Sequence, residues 1–417
     1  MSPTSPASPP PPSGDARDPQ PFTVSPPDGH ADTPPSSSTA PPSSTPAPFT
    51  TGPSTSAPAS SSTGPSTSAP ASSSTGPSTS APASFITPAP FSTPAPGGSR
   101  TTPPRPFDIA AHFPELRALA MTTTRLHPRP GAPTVADSSV GGPLLWPADE
   151  PWPFCQDGDK HYVHQLHKPA TVRRDREIQA AARGRNLTAA ERDEMSGWDF
   201  SEPHELVAQP IPLIPVAQLY RRDIPDFIGP DDRDLLQVLW CPLDHPDDGY
   251  NPRVRVLWRR TTDIIGPLTV PPDPPVVRDD YLPTACAVHP EHIVEYPPPD
   301  VLPPDLCERI NEWEEDLDED FSYESDLSLA PGWKVGGFAD CSVPDVWEWE
   351  CTECGAEMRL LLAVASGEWG DGESWRPPQD PPGTDCYITD ICIGRGWDLN
   401  IMQCPASYDH PIIAFGN

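Results

Sequence analysis

From residue 106 onward, apolar residues fall in short runs that either alternate with polar ones or cluster, each bounded by Pro, Asp or Gly. Such runs predict β-strands over 211–220, 234–241, 252–258, 358–364, 386–393 and 397–404. One segment has a helical period instead. Leu306, Ile310, Trp313, Leu317 and Phe321 recur at steps of three and four, so 305–321 is predicted to be a helix with Asp305 as its cap. Its opposite face carries Glu308, Glu312, Glu315, Asp316 and Glu319. Pro114 opens ELRALAMTTTRL, a predicted short helix, and the stretch 172–195, with Thr188 and Glu191 in capping-box spacing, predicts one or two exposed helices. The 39 prolines after residue 105 exclude a helix bundle, because proline breaks helix interiors. The pattern therefore predicts an α+β fold, with a mostly antiparallel sheet and flanking helices.

Residues 1–105 show neither period. They hold 28 of the 67 prolines among Ser, Thr, Ala and Gly, and a twelve-residue unit, TGPSTSAPASSS, runs over 51–62, repeats over 63–74 and restarts at Thr75. Units with no large apolar residue cannot stack into a solenoid or offset the entropy of ordering, so this segment is expected to be a long disordered tether. The folded domain is expected over 106–417.

Charge narrows the choice of partner. The formal net charge is -32, and the tether holds only four acidic and three basic side chains, leaving 55 acidic against 24 basic for the rest. A fold that acidic repels a phosphate backbone and favours a basic protein client over nucleic acid. Neither a signal sequence nor a run of eighteen apolar residues is visible, so no membrane partner is expected and the cytoplasm is the default location. Ten cysteines in that setting are expected to be reduced, and a close pair such as Cys351 and Cys354 is structural, metal-binding or redox-active.

The chain also echoes itself. Gly141-Gly142 leads through Trp146 and Trp152 to Cys155, and Gly336-Gly337 leads through Trp347 and Trp349 to Cys351, each followed later by an apolar strand. This predicts a duplicated sheet unit in two related halves, about 106–265 and 266–417. The set GGPLLWPADEPWP, PVAQLY, LLQVLWCP, GWKVGGF and CTECGAEMRLLLAV resembles the bacterial YwqG-like proteins. These are similar in turn to the eukaryotic Tsr4 and programmed-cell-death-protein-two group. The resemblance covers the chain from about Phe107 onward. It implies a duplicated α+β interaction domain without established chemistry, whose eukaryotic relatives chaperone a basic ribosomal protein. A chaperone-like or immunity-like binder is thus expected, with an enzyme of unrecognised class or a zinc-stabilised binding module as alternatives.

Cys351-Thr-Glu-Cys354-Gly has the form of a zinc knuckle, but one pair supplies only two of four ligands. In the relatives a late strand ends in a further cysteine, which the resemblance places at Cys404. The second late cysteine is missing here, and His410 stands in that region. Zinc at Cys351, Cys354, Cys404 and His410, or a metal-free turn, both remain open. The spacing of His161, His164 and His167 fits neither a helical clamp nor one face of a strand, so these are expected to be surface or partly packed residues. Trp146, Trp152 and Trp347, near prolines or at the duplicated motif, are candidates to line a partner-binding groove. No nucleophile elbow, phosphate loop or dinucleotide fingerprint is present, and no catalytic residue is assigned.

Overall fold

The computed structural model describes residues 99–416, except 183, 196, 318–320, 341–349 and 371–372. The tether up to residue 98, and Trp347 with it, lie outside the described residues. The described residues begin a few positions before the expected boundary at 106, and those positions are bound to the fold. The Arg100 guanidinium lies 3.2 Å from Asp380, Thr102 donates to Glu291 from both backbone and hydroxyl, and Arg105 stacks 3.7 Å above the Trp375 ring.

Among the described residues, fourteen strands form the α+β fold. In chain order they are β1 (Met121–Arg125), β2 (Arg129–Pro130), β3 (Ser139–Val140), β4 (Phe154–Cys155), β5 (Ile211–Pro212), β6 (Ile214–Tyr220) and β7 (Leu235–His245). They continue with β8 (Asn251–Arg259), β9 (Cys286–Ala287), β10 (Glu291–Glu295), β11 (Lys334–Gly336), β12 (Arg359–Ala365), β13 (Asp398–Gln403) and β14 (Ile413–Gly416). Two six-stranded sheets run in the orders β10-β1-β11-β12-β13-β14 and β2-β9-β3-β6-β7-β8, while β4 and β5 pair separately. Every pairing within these sheets is antiparallel.

The two orders match position by position, with one exchange. β1 precedes all the strands of the first half, yet it sits in the sheet of the second, between β10 and β11. In the same way β9 leaves the second half to sit between β2 and β3. Leu126, Trp240, Trp333 and Leu362 belong to one hydrophobic cluster that draws on both sheets.

Three predicted elements differ. Only Leu116–Leu119 of the stretch after Pro114 is helical; the Thr122-Thr123-Thr124 run that follows is β-branched, packs well in a sheet and forms β1. The helix predicted over 305–321 spans Pro304–Glu315 and has no side-chain cap. Its last turn holds no basic residue and several acids, which oppose the negative end of the helix dipole. Phe321 still packs on Phe107, at a ring separation of 4.8 Å, but from beyond the helix. Residues 386–393 form no strand, since Asp390 takes a left-handed conformation with φ of 54° that interrupts extended backbone. The exposed helices expected over 172–195 are Pro169–Ala182 and Ala189–Glu194, the second with the Thr188–Glu191 capping box in place.

Candidate metal centres

Cys351 opens a tight turn in which the Gly355 amide donates to the Cys351 carbonyl at 2.8 Å, and the Cys351 amide to the Ala356 carbonyl at 2.8 Å. Gly355 closes it at φ of +68°, a conformation that glycine adopts without strain. The turn aims both sulfurs at the end of β13, where Cys404 is fully buried. Cys354 Sγ lies 3.6 Å from Cys404 Sγ, and Cys351 Sγ lies 3.3 Å from His410 Nδ1. The four residues named from the sequence and the resemblance thus converge, with all ligand atoms within 4.8 Å of one another.

Another cluster of the same kind, the first in chain order and not anticipated from the sequence, forms beside the other six-stranded sheet from Cys155, His161, Cys241 and His245, all four buried. Cys155 ends β4, a short turn carries His161 back over it, and β7 supplies Cys241 and His245. His161 Nε2 lies 3.3 Å from Cys155 Sγ and 3.4 Å from Cys241 Sγ, and His245 Nε2 lies 3.9 Å from Cys155 Sγ. The expectation that His161 and His167 would be surface or partly packed is corrected, since both are buried. Helical and strand spacing were the wrong tests, because His161 reaches its site from a turn.

The geometry can be tested against a metal. Tetrahedral zinc with bonds of about 2.3 Å to sulfur and about 2.0 Å to nitrogen requires ligand atoms about 3.5–3.8 Å apart. Five of the separations, from 3.3 to 3.9 Å, lie close to that requirement, and the others are at most 4.8 Å. Thiolate and imidazole donors also suit zinc over magnesium or calcium, which take oxygen.

The first cluster carries outer contacts as well. His161 Nδ1 lies 2.7 Å from the Gly158 carbonyl, which can only accept, so the proton sits on Nδ1 and Nε2 turns its lone pair to the sulfurs. His245 Nδ1 lies 3.3 Å from Asp157 Oδ2, and the Arg253 guanidinium holds that carboxylate from outside. A carboxylate or carbonyl behind each imidazole is the usual support for a metal-bound histidine. Hydrogen bonding from Cys241 holds the Cys155 thiol far below its ordinary range, with the two imidazoles adding to the effect, while burial drives Cys241 well above it.

Both clusters occupy corresponding places. Each begins with a cysteine downstream of a Gly-Gly pair, and each ends with a cysteine and a histidine on or just past the strand fifth in its sheet order, β7 or β13. The readable signal for the first was Cys241-x-x-x-His245 together with the echo that aligns Cys155 with Cys351.

The proposed tryptophan groove is corrected. Trp146 and Trp152 are 1% and 9% exposed, with ring centroids 4.9 Å apart. Their indole nitrogens donate to the carbonyls of Glu150 and Leu213, so both rings belong to the core around the first cluster and present no face to a partner. Trp347, the third candidate, lies outside the described residues. No protein-family model matches this chain, and the comparison with curated proteins found no match.

Proposed function

We propose that the chain is a non-enzymatic interaction module of the YwqG-like kind, stabilised by two structural zinc ions, that binds or shields a basic polypeptide. One observation carries the reading: each cluster supplies four Cys or His ligands. Four protein ligands close the coordination sphere and leave no position for water or substrate, as in structural rather than catalytic zinc. The acidity of residues 106–417 supports a basic client. Cys155, Cys241, Cys286, Cys351, Cys354 and Cys404 form no disulfide, which suits a reducing compartment such as the cytoplasm, where thiolates stay available to metal.

Elemental analysis of the purified full chain tests the zinc. Two equivalents per chain are expected, with one lost in Cys241→Ser and the other in Cys351→Ser. Metal-free protein whose melting temperature ignores a strong chelator would refute it. For the client, the full chain is used as bait, and any enriched basic protein is purified and remixed with it. A stoichiometric complex that weakens with salt is expected, and failure to reconstitute one overturns the binding half of the reading.

A further inference from the structure

A cavity of about 640 Å³ that contains no ligand of either cluster opens on the sheet β10-β1-β11-β12-β13-β14. Its floor is one row of that sheet: Lys334, Ala363 and Asn400 are directly paired across β11, β12 and β13. Asp398, two residues before Asn400 on the same strand, faces the same side. The walls come from the loop around Asp300, the turn Tyr323–Ser328 and the ring of Trp375.

Its chemistry is one-sided. Asp300, Glu324, Asp326, Asp340 and Asp398 line it against the single ammonium of Lys334. That ammonium is already engaged with Glu295 at 2.6 Å. Asp300, Glu324, Asp326 and Asp398 form no ion pair among the described residues. A second observation is independent of charge. Asn400 is fully buried, its amide nitrogen donates to the Asp340 carbonyl at 3.0 Å, and among the described residues its Oδ1 then has no donor. A buried acceptor left without a donor is costly, and a ligand bearing N–H groups would satisfy it. Burial, with repulsion from Asp340, pushes the Asp398 carboxyl up to about 7, and a cation placed beside it would favour its charged form.

We propose that this cavity receives arginine or lysine side chains of the client polypeptide. The inference rests on the basic-client reading and locates its contact. A bare metal ion would need oxygens gathered within about 2.6 Å of one point, whereas these carboxylates are spread around a space that takes whole side chains. A guanidinium offers five donors to the carboxylates and to Asn400 Oδ1.

The test titrates the zinc-loaded full chain, by fluorescence anisotropy, with a labelled peptide alternating Arg and Gly and with its Glu/Gly counterpart. Spermidine serves as competitor. Asp398→Asn and Glu324→Gln each alter the cavity, and Glu324 is exposed, so its substitution spares the fold. The double variant Glu308→Gln with Glu312→Gln removes two charges from the helix Pro304–Glu315 instead. Expected is binding of the Arg peptide alone, weakened about tenfold by either cavity variant and less than twofold by the control. Equal weakening by cavity and control variants overturns the cavity and leaves the basic-client reading standing. No binding of the Arg peptide by the unaltered chain overturns both. Spermidine binding that depends on Asp398, without peptide binding, assigns the cavity to a free polyamine and overturns the peptide proposal.

Discussion

Asp157 shows how far one side chain can act through others. Its carboxylate sits behind His245 and beside Cys155 Sγ, at 3.3 and 3.2 Å, while Arg253 fixes it from solvent. Asp157→Asn is therefore expected to lower zinc affinity at the first cluster about 10–100-fold while leaving the second unchanged. Stepwise transfer of metal to a chromogenic chelator reads this directly, one equivalent leaving earlier than in the parent. Asp398 makes a different prediction. Its folded carboxyl keeps its proton to a higher pH than in the unfolded chain, so the native state binds more protons between about pH 4 and about pH 7. Stability contributed by this group falls as pH rises through that window and stays lower above it. The groups acting on it are Asp340 and Glu368, which repel, and Lys334 and the Ser366 amide, which favour its charge. Asp398→Asn should raise the melting temperature relative to the parent, by a gap that opens across that window and then levels. At this scale the knuckle at Cys351 was legible because two of its ligands, Cys351 and Cys354, lie three residues apart in a turn of known form. His161 was not, because its partners Cys155 and Cys241 are brought to it by β4 and β7, and no local spacing encodes that meeting.

Among the elements, the glycine pair at the end of β11 explains its own repetition. Gly337 has φ of +77°, and a Cβ there would lie 2.8 Å from the Thr123 Cβ and 2.3 Å from Glu295 Oε2. Both neighbours are buried, and Glu295 is tied to Lys334, so neither can yield easily. Gly337→Ala is expected to destabilise the fold by roughly 2–4 kcal/mol, measured by denaturant unfolding. The strands β6, β7, β8, β12 and β13 were readable from alternation and apolar clustering alone. β1 was misread because its threonines follow a helical opening, and what makes them a strand is the edge offered by β10 and β11, far along the chain. The helix Pro304–Glu315 kept its predicted apolar face, with Leu306 and Ile310 buried. Its end was set by charge rather than by period.

For the molecule as a whole, the duplication does not make two separable domains. Each sheet borrows its second strand from the other half, so the segments 106–265 and 266–417 each lack a strand that the other carries. Expressed separately, each is expected to show no cooperative melting, and co-expression should restore a one-to-one complex with the melting behaviour of the intact chain. Circular dichroism of the separate and mixed segments checks this.

The same exchange sets a timetable for synthesis. β1 leaves the ribosome early, but its neighbour β11 ends only at Gly336, so β1 must wait through some two hundred residues of elongation before both its edges are covered. All four ligands of the first cluster have emerged by His245, ahead of β9. Metal capture at that cluster can thus hold β4 and β7 together while the sheet beside them is still two strands short, without β8 and β9. Starved of zinc during translation, the nascent chain would expose an incomplete sheet edge for longer, and the yield of folded protein would depend on metal supply while it is being made rather than after.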